Sequence, residues 1–354
     1  MKISISKNLL ENMLMEIQPF LEKKDATQIT SHVYMEAKND IVTIKATDSE
    51  IGLIIKTKDA IVEYEGEITA NGKKFLEIIR ILRDEDIILE LIRDNLTIKQ
   101  NKSKFRIPIF NPNSFPKFPK IQNREKISLD SINLIKNLKL ISPTIDSNNP
   151  KFELNGALID IRRDSTKLVG TDTRRLAIVT IENSNQNELS IIIPKKAISE
   201  IKKLFTDEID IYYNSTDIII QNQNHFFFSR LINGKFPDYE RIVPRDLKHH
   251  LILPKKEMIG AIKIITPIST DIKIIFNQNS IVFKSLSSDN IEAKTEILVD
   301  THLDGFELNV NSRYLLDFIS QIDSENFEIM LNESTLPFVL KDREFITVIM
   351  PIIV

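Results

Sequence analysis

Apolar residues recur along this chain at helical spacing, three times over. Leu10, Leu14 and Ile17 stand at i, i+4 and i+7, which places them on one face of a helix. Leu134, Leu138 and Ile141 repeat the spacing, as do Met258, Ile262 and Ile265. Each set runs into Ile-x-Pro: Ile17 to Pro19, Ile141 to Pro143 and Ile265 to Pro267, with 124 residues between successive copies. Proline lacks an N–H and clashes with the preceding turn, so each helix is expected to stop at the same place. A second helical pattern also recurs: GKKFLEIIRIL (72–82), PKKAISEIKKLF (194–205) and SRYLLDFISQI (312–322). Its expected buried faces are Phe75, Leu76, Ile79 and Leu82, then Ala197, Ile198, Ile201 and Leu204, then Leu315, Leu316, Ile319 and Ile322.

Between the helices the rhythm changes to alternation and short β-branched runs. IVTIKA (41–46), IVEYEGEIT (61–69), IILELI (87–92) and LTIKQ (96–100) read as strands. ATDSE (46–50) and GTDTR (170–174) place Thr47 and Thr171 124 residues apart, and Phe-Pro recurs at 115–116 and 236–237. The period of about 120 residues exceeds the ~20–50 of solenoid repeats. It predicts three tandem α+β domains, each with two helices packed on antiparallel sheets. Polar stretches at 122–126 and 245–250 set the domains at 1–122, 123–247 and 248–354.

Charge changes the picture more in its distribution than in its sum. The chain of 354 residues has a net charge of −3. The six helical segments (5–24, 71–83, 129–145, 194–205, 254–268 and 311–322) hold seventeen Lys and Arg against eight Asp and Glu, leaving −12 for the remainder. Lys73, Lys74, Arg80 and Arg83 are expected opposite the apolar face of one helix, and Lys195, Lys196, Lys202 and Lys203 opposite that of another. Solvated helix faces account for such lysines without a ligand. Basic helices lining one surface toward a polyanion account for the imbalance as well, through phosphate contacts that are blind to base sequence.

Other chemistry is thin. Cysteine is absent, which removes disulfides, thiolate metal sites and Cys nucleophiles. Glycine numbers eight, and neither GxGxxG nor GxxxxGK[ST] occurs. Glu11 and Glu16 interrupt any N-terminal signal core, and no apolar run is long enough to span a membrane, so a cytoplasmic protein is expected. His249 and His250 read as a solvated linker pair, Asp84 and Asp86 as an acidic turn into a strand, and HFFFSR (225–230) as strand core. No cofactor or metal is expected.

Three stretches carry a resemblance. GTDTRRLAIV (170–179) is similar to the TDGHRLA segment of bacterial sliding clamps. KFPDYERIVP (235–244) is similar to their FPDY segment, and VIMPII (348–353) to their terminal V-V-M-P. Order and length also fit, so the whole chain resembles the β subunits of bacterial DNA polymerase III. The resemblance implies the DNA-clamp fold and a head-to-tail homodimer closed into a ring around double-stranded DNA. It implies a non-enzymatic processivity factor. The implied partners are the polymerase III catalytic subunit, the clamp loader, and clamp-motif proteins such as ligase, mismatch-repair proteins and translesion polymerases.

Carried over residue by residue, a peptide pocket between the second and third domains is implied at Leu154, Thr171, Thr173, Arg174, Arg175, Leu176, Pro237, Ile242, Pro337, Val348, Met350 and Ile352. DNA-facing positions are Lys23, Lys24, Lys73, Lys151, Lys195 and Lys196, and a dimer contact pairs Lys74 and Phe105 with Pro267 and Ile268. Thr173 stands where the family has Gly, Arg174 where it often has His, and Glu153 where an aromatic is common. A β-branched residue suits positive φ poorly, so the loop at Thr173 is expected to differ in shape. A protein-interaction scaffold without DNA, and a hydrolase in the acidic loops, are the readings that compete with the clamp.

Overall fold

A computed structural model describes residues 1–354 apart from 24, 26, 184–187, 287–290 and 354. Its described residues contain six α-helices: α1 (Lys7–Ile17), α2 (Gly72–Ile81), α3 (Ser131–Ile141), α4 (Lys195–Leu204), α5 (Lys255–Ile265) and α6 (Ser312–Ile319). The Ile-x-Pro stop operates in all three places, since α1, α3 and α5 each end on the isoleucine. Pro19 and Pro143 then sit in one-turn 3-10 segments, Gln18–Phe20 and Ser142–Thr144. Ser6, Asn71 and Asn311 cap α1, α2 and α6 by accepting from Leu9, Lys74 and Arg313 N–H groups.

The expected apolar faces are buried with three exceptions, Leu82, Leu204 and Leu316, which are only half-buried. Leu82 lies beyond the end of α2 with extended backbone, so it leaves the helix face. At the end of α4, Phe205 is buried where Leu204 was expected. In α6 the buried stripe runs Leu315, Phe318, Ile319 and Ile322, and Leu316 falls beside it.

The strands form four antiparallel sheets. A five-stranded sheet has the order Ala60–Tyr64, Lys2–Ser6, Asp86–Ile92, Asn95–Gln100 and Ser103–Pro108. A four-stranded sheet runs Lys294–Leu298, Ser280–Ser285, Asp271–Asn277 and Phe306–Asn311. The remaining two have eight strands each and join neighbouring repeats. In one, Glu125–Lys126, Asp210–Tyr213, Asp217–Gln221 and His225–Arg230 continue into Ile51–Thr57, Ile41–Thr47, His32–Lys38 and Gly66–Asn71. In the other, Leu189–Pro194, Gly156–Ile161, Ser165–Thr171 and Arg175–Glu182 continue into Phe345–Ile349, Phe338–Asp342, Asn326–Leu331 and His249–Pro254.

The middle repeat is therefore shared. Compact units are residues 1–132 with 203–231, and 133–202 with 232–354. Each contains one eight-stranded sheet and one seam between repeats. At the first seam Phe227 pairs with Leu53 and Phe228 with Gly52. At the second, Thr347 pairs with Ala177 and Val348 with Leu176.

Two strand expectations need correction. The run at 61–69 is not one strand. It breaks at Gly66, whose φ of 148° suits glycine, into strands of two different sheets. His249 and His250 are not linker; they open a strand, with His250 Nδ1 2.6 Å from a Glu328 carboxylate oxygen. Phe227 and Phe228 of HFFFSR are buried as strand core.

Candidate functional site

The turn at 171–175 is built by its own short polar side chains. Thr171 Oγ1 donates to the Arg175 carbonyl at 2.7 Å, and Asp172 Oδ1 accepts from the Arg174 and Arg175 N–H groups at 3.0 Å each. Thr173 takes φ of 75°. The loop thus keeps the backbone that glycine would favour and carries the strain of a β-branched residue there, about 1–2 kcal/mol. The turn at 47–51 is a copy: Thr47 Oγ1 donates to the Ile51 carbonyl at 2.7 Å, Asp48 Oδ1 accepts from Glu50 and Ile51, and Ser49 takes φ of 76°.

This turn delivers Arg175 into the interior. Its guanidinium donates to Asp172 at 3.0 Å, to Asp317 at 2.7 Å and to the Pro143 carbonyl at 2.8 Å, and it lies 4.4 Å from the Tyr314 ring centroid. Arg175 is only 8% exposed. A charge so placed must be paired, and the structure supplies both carboxylates. Arg175 is a structural hub here, and Arg174 is the exposed cation of the pair.

Leu154, Leu176 and Val348 are buried in one apolar cluster with Leu158, Phe236 and Tyr239. Close to these residues along the chain, Ile242 (45% exposed), Met350 (42%), Thr173 and Arg174 are exposed, and Pro237, Pro337 and Ile352 are half-buried. Met350 N–H donates to the Arg174 carbonyl at 2.9 Å, which ties the C-terminal segment to the turn. Ile352 N–H donates to the Asn309 carbonyl at 2.8 Å. All twelve of these sequence-predicted residues fall in one compact unit. Exposed apolar side chains beside a buried apolar floor are the chemistry that capture of a short apolar peptide segment would require.

Leu158 and Tyr239 belong to the same floor and were not singled out. Tyr239 was legible as the last letter of FPDY. Its hydroxyl donates to Asp160 at 2.6 Å, and burial raises its pKa well above the ordinary phenol value. Leu158 carries no local signal, because any strand residue facing the core looks alike in sequence.

The basic positions divide. Lys23, Lys73, Lys151 and Lys196 are exposed, and Lys24 lies outside the described residues. Lys195 is half-buried with its ammonium donating to the Ile145 carbonyl at 2.5 Å, and Lys202 is half-buried donating to Ser142 Oγ at 2.9 Å. The expectation that α4 presents four lysines to solvent is corrected accordingly, since two reach back to the 3-10 turn after α3. Phe152 is 63% exposed beside Lys151. Sequence reasoning missed it by looking for an aromatic only at the position of Glu153. Lys74 is exposed and paired with Glu77 at 3.0 Å, Phe105 is half-buried on a sheet edge, and Pro267 and Ile268 are exposed.

Repeated helix-on-sheet modules joined through shared sheets, with a buried apolar cluster at the second seam, define a clamp-type chain. Sequence profiles of the DNA polymerase III beta subunit match it end to end: the N-terminal domain over residues 1–119, the central domain over 128–238 and the C-terminal domain over 240–353. The beta sliding clamp of Helicobacter pylori strain J99 is 37% identical over 97% of this chain and 94% of its own. That of Chlamydia trachomatis is 26% identical over 99% of this chain and 86% of its own. The crystal structure of the Helicobacter pylori beta clamp bound to a DNA ligase peptide superposes with a TM-score of 0.93 at 37% identity, covering both chains completely. The DNA polymerase III subunit beta of Pseudomonas aeruginosa shares the fold, with a TM-score of 0.91 at 22% identity and full coverage of both chains. The chain belongs to the DNA polymerase III beta-subunit family, the bacterial beta sliding clamps. Its function is that of a processivity clamp with a peptide-binding pocket. Among the described residues no helix is long and apolar enough to cross a membrane.

Proposed function

We propose that two copies of this chain join head to tail, enclose duplex DNA without reading its sequence, and hold the replicative polymerase and other DNA enzymes through the cleft at the second seam. The observation that carries this reading is the unused third seam. Each internal seam joins two pieces: the strand after a repeat's Thr-Asp turn, and the last hairpin strand of the next repeat. The first uses Ile51–Thr57 with His225–Arg230, and the second Arg175–Glu182 with Phe345–Ile349. The two pieces left over are Lys294–Leu298 and Ser103–Pro108, and both are sheet edges. An exposed edge seeks a partner strand. One chain's Ser103–Pro108 and another's Lys294–Leu298 supply the missing pairing head to tail, and two copies joined both ways leave neither of these edges unpaired.

Side chains support the same match. Phe105 occupies the position of Phe227 in the first seam and Thr347 in the second, both fully buried there. Ile268 follows Pro267 as Phe20 follows Pro19, and Phe20 meets Phe227 edge-on at 5.9 Å. A Phe105 contact with Pro267 and Ile268 across chains repeats that packing, with Lys74 on α2 alongside. Lys23, Lys73, Lys151 and Lys196, together with Phe152, are the proposed contacts with DNA, acting on phosphates and backbone. Lys195 contributes through its position more than through a free ammonium. The ligase peptide bound to the Helicobacter pylori relative supports peptide capture by this chain, and Met350, Ile242 and the surrounding floor are the proposed place for it. The polymerase catalytic subunit, clamp loader, ligase, mismatch-repair proteins and translesion polymerases are proposed partners of that cleft. No catalysis is assigned to the chain, and a cytoplasmic site of action is proposed.

The test is topological. Protein loaded on nicked circular duplex should remain through gel filtration at high salt and be lost when the circle is cut. Equal retention on circle and linear DNA would remove enclosure from the reading.

A further inference from the structure

The first seam carries a cleft of about 270 Å³, and we propose that it binds a carboxylate-bearing aromatic group, such as the C-terminal phenylalanine of a peptide. The cleft is assembled from the positions that make the peptide cleft at the second seam. Thr47 and Ser49 stand for Thr171 and Thr173, Pro116 for Pro237, Phe228 for Val348 and Arg230 for Met350. Pairing fixes the equivalence: Phe228 lies opposite Gly52 as Val348 lies opposite Leu176. Arg230 N–H donates to the Glu50 carbonyl at 2.8 Å as Met350 N–H donates to that of Arg174.

The contents differ in a way that selects a different ligand. Gly52 has no side chain, and a Cβ there would stand 2.3 Å from the Phe228 ring. Phe228 takes that space and meets Phe118 edge-on at 5.1 Å, so the wall is aromatic at the position that Val348 holds in the second seam. At the end held by Met350 in the second seam, the first presents a guanidinium. Arg230 is 60% exposed in its side chain and lies 3.6 Å from Asp217. Asp217 is buried and already neutralised by Arg124 at 2.5 Å. Two guanidiniums thus face one carboxylate, and the exposed Lys117 on the lining adds to the surplus of positive charge. A flat ring against Phe118 and Phe228, with its carboxylate on Arg230, satisfies both halves of the site.

The choice of a peptide-borne ligand rests on the peptide reading of the second seam; the charge and ring chemistry do not. The probe is fluorescein-labelled Gly-Ser-Gly-Phe with a free terminal carboxylate, compared with its amide, titrated into the full-length protein by fluorescence polarisation. The free acid should bind at least tenfold more tightly than the amide. Arg230→Met should erase that ratio, Phe118→Ala should weaken both probes, and Met350→Glu should change neither. Equal affinity of acid and amide, a ratio that survives Arg230→Met, or binding of neither probe up to millimolar concentration overturns the proposal. Sensitivity to Met350→Glu alone assigns the probe to the second seam and overturns it equally. Failure of the second-seam reading shows separately, as normal binding of a ligase-type peptide to the Met350→Glu protein.

Discussion

In the first seam Phe227 is fully buried, with the rings of Phe20 and Phe205 at 5.9 and 6.4 Å. In the second the same position is Thr347, just as buried, and its hydroxyl has no hydrogen-bond partner among the described residues. Phe20 is likewise replaced by Thr144, whose hydroxyl donates to the Ile141 carbonyl at 2.7 Å. The two seams share turns, strand pairing and direction, yet at these positions one carries interlocking rings and the other small polar residues, with the Arg175 hub and an aliphatic-rich cluster beside them. A repeated backbone fixes where a seam forms. The side chains at a few equivalent positions then decide how strongly it holds and what its outer cleft accepts.

A second pair of equivalent positions teaches the same lesson. His32 opens the strand that corresponds to the one opened by Gly156, since His32 lies opposite Asn71 and Gly156 opposite Pro194, each residue just before a helix. His32 is buried, stacked on Phe110 with centroids 4.0 Å apart, and its Nδ1 has no hydrogen-bond partner among the described residues. At Gly156 a Cβ would stand 2.5 Å from the Ile193 carbonyl oxygen, so the second repeat brings backbone in where the first places a ring. At this position the first repeat places a titrating group in its core and the second does not.

Four experiments would break or sharpen this contrast. The largest effect is expected from Phe227→Ala, which removes the ring at the centre of the first seam. Loss of transfer energy plus a cavity predicts about 3–5 kcal/mol of destabilisation, measurable by urea unfolding. A cost below about 1 kcal/mol would mean that the rings do not hold that seam.

Next comes the dependence on pH. Burial lowers the His32 pKa to about 4, against the ordinary 6.5. Its folded pKa is depressed, so the neutral form stabilises the fold fully above pH 6.5, and that stability is lost as pH falls toward 4. The span corresponds to roughly 2–3 kcal/mol. Unfolding at pH 7 and pH 4.5 should show His32→Phe flattening this part of the profile. An unchanged slope would place the titration elsewhere.

Third, Phe105→Asp should weaken the proposed association of two chains by about a hundredfold, roughly 2.7 kcal/mol. Its unfolding midpoint as a monomer should be unchanged, because Phe105 lies on an edge. Sedimentation equilibrium reads the difference, and wild-type dimer affinity in the variant would detach Phe105 from the interface.

The smallest effect is a gain. Thr347→Val keeps the shape and removes a buried hydroxyl without a partner, so about 1 kcal/mol of stabilisation is expected on unfolding. A loss instead would show that the hydroxyl is satisfied in solution.

Much of this arrangement was legible in the chain. The Ile-x-Pro stops located three helix ends to the residue, because a missing N–H and a ring clash act locally. The Thr-Asp turns were legible as a repeat, and their hydrogen bonds are made within five residues. Leu176, Val348 and Met350 were reached only through resemblance, since the floor they share is joined by strand pairing across more than 170 residues. Arg175 was placed in the pocket only through resemblance. Its burial depends on Asp317 and Tyr314, which belong to another repeat. Lys195 and Lys202 looked free for a similar reason: the acceptors that hold them follow α3, not α4.

What the sequence determined by itself is the set of local rules: which faces of the helices are apolar, where each helix stops, which turns recur and that the module is written three times. Those follow from spacing, sterics and short-range hydrogen bonds. Only the tertiary structure decided that the middle repeat lends half its strands to each neighbour, that Arg175 is a buried hub while Arg174 is exposed, and that Phe228 and Arg230 stand at the first seam where Val348 and Met350 stand at the second. Strand pairing between repeats brings together residues that no local pattern connects, and burial then assigns each of them its chemistry.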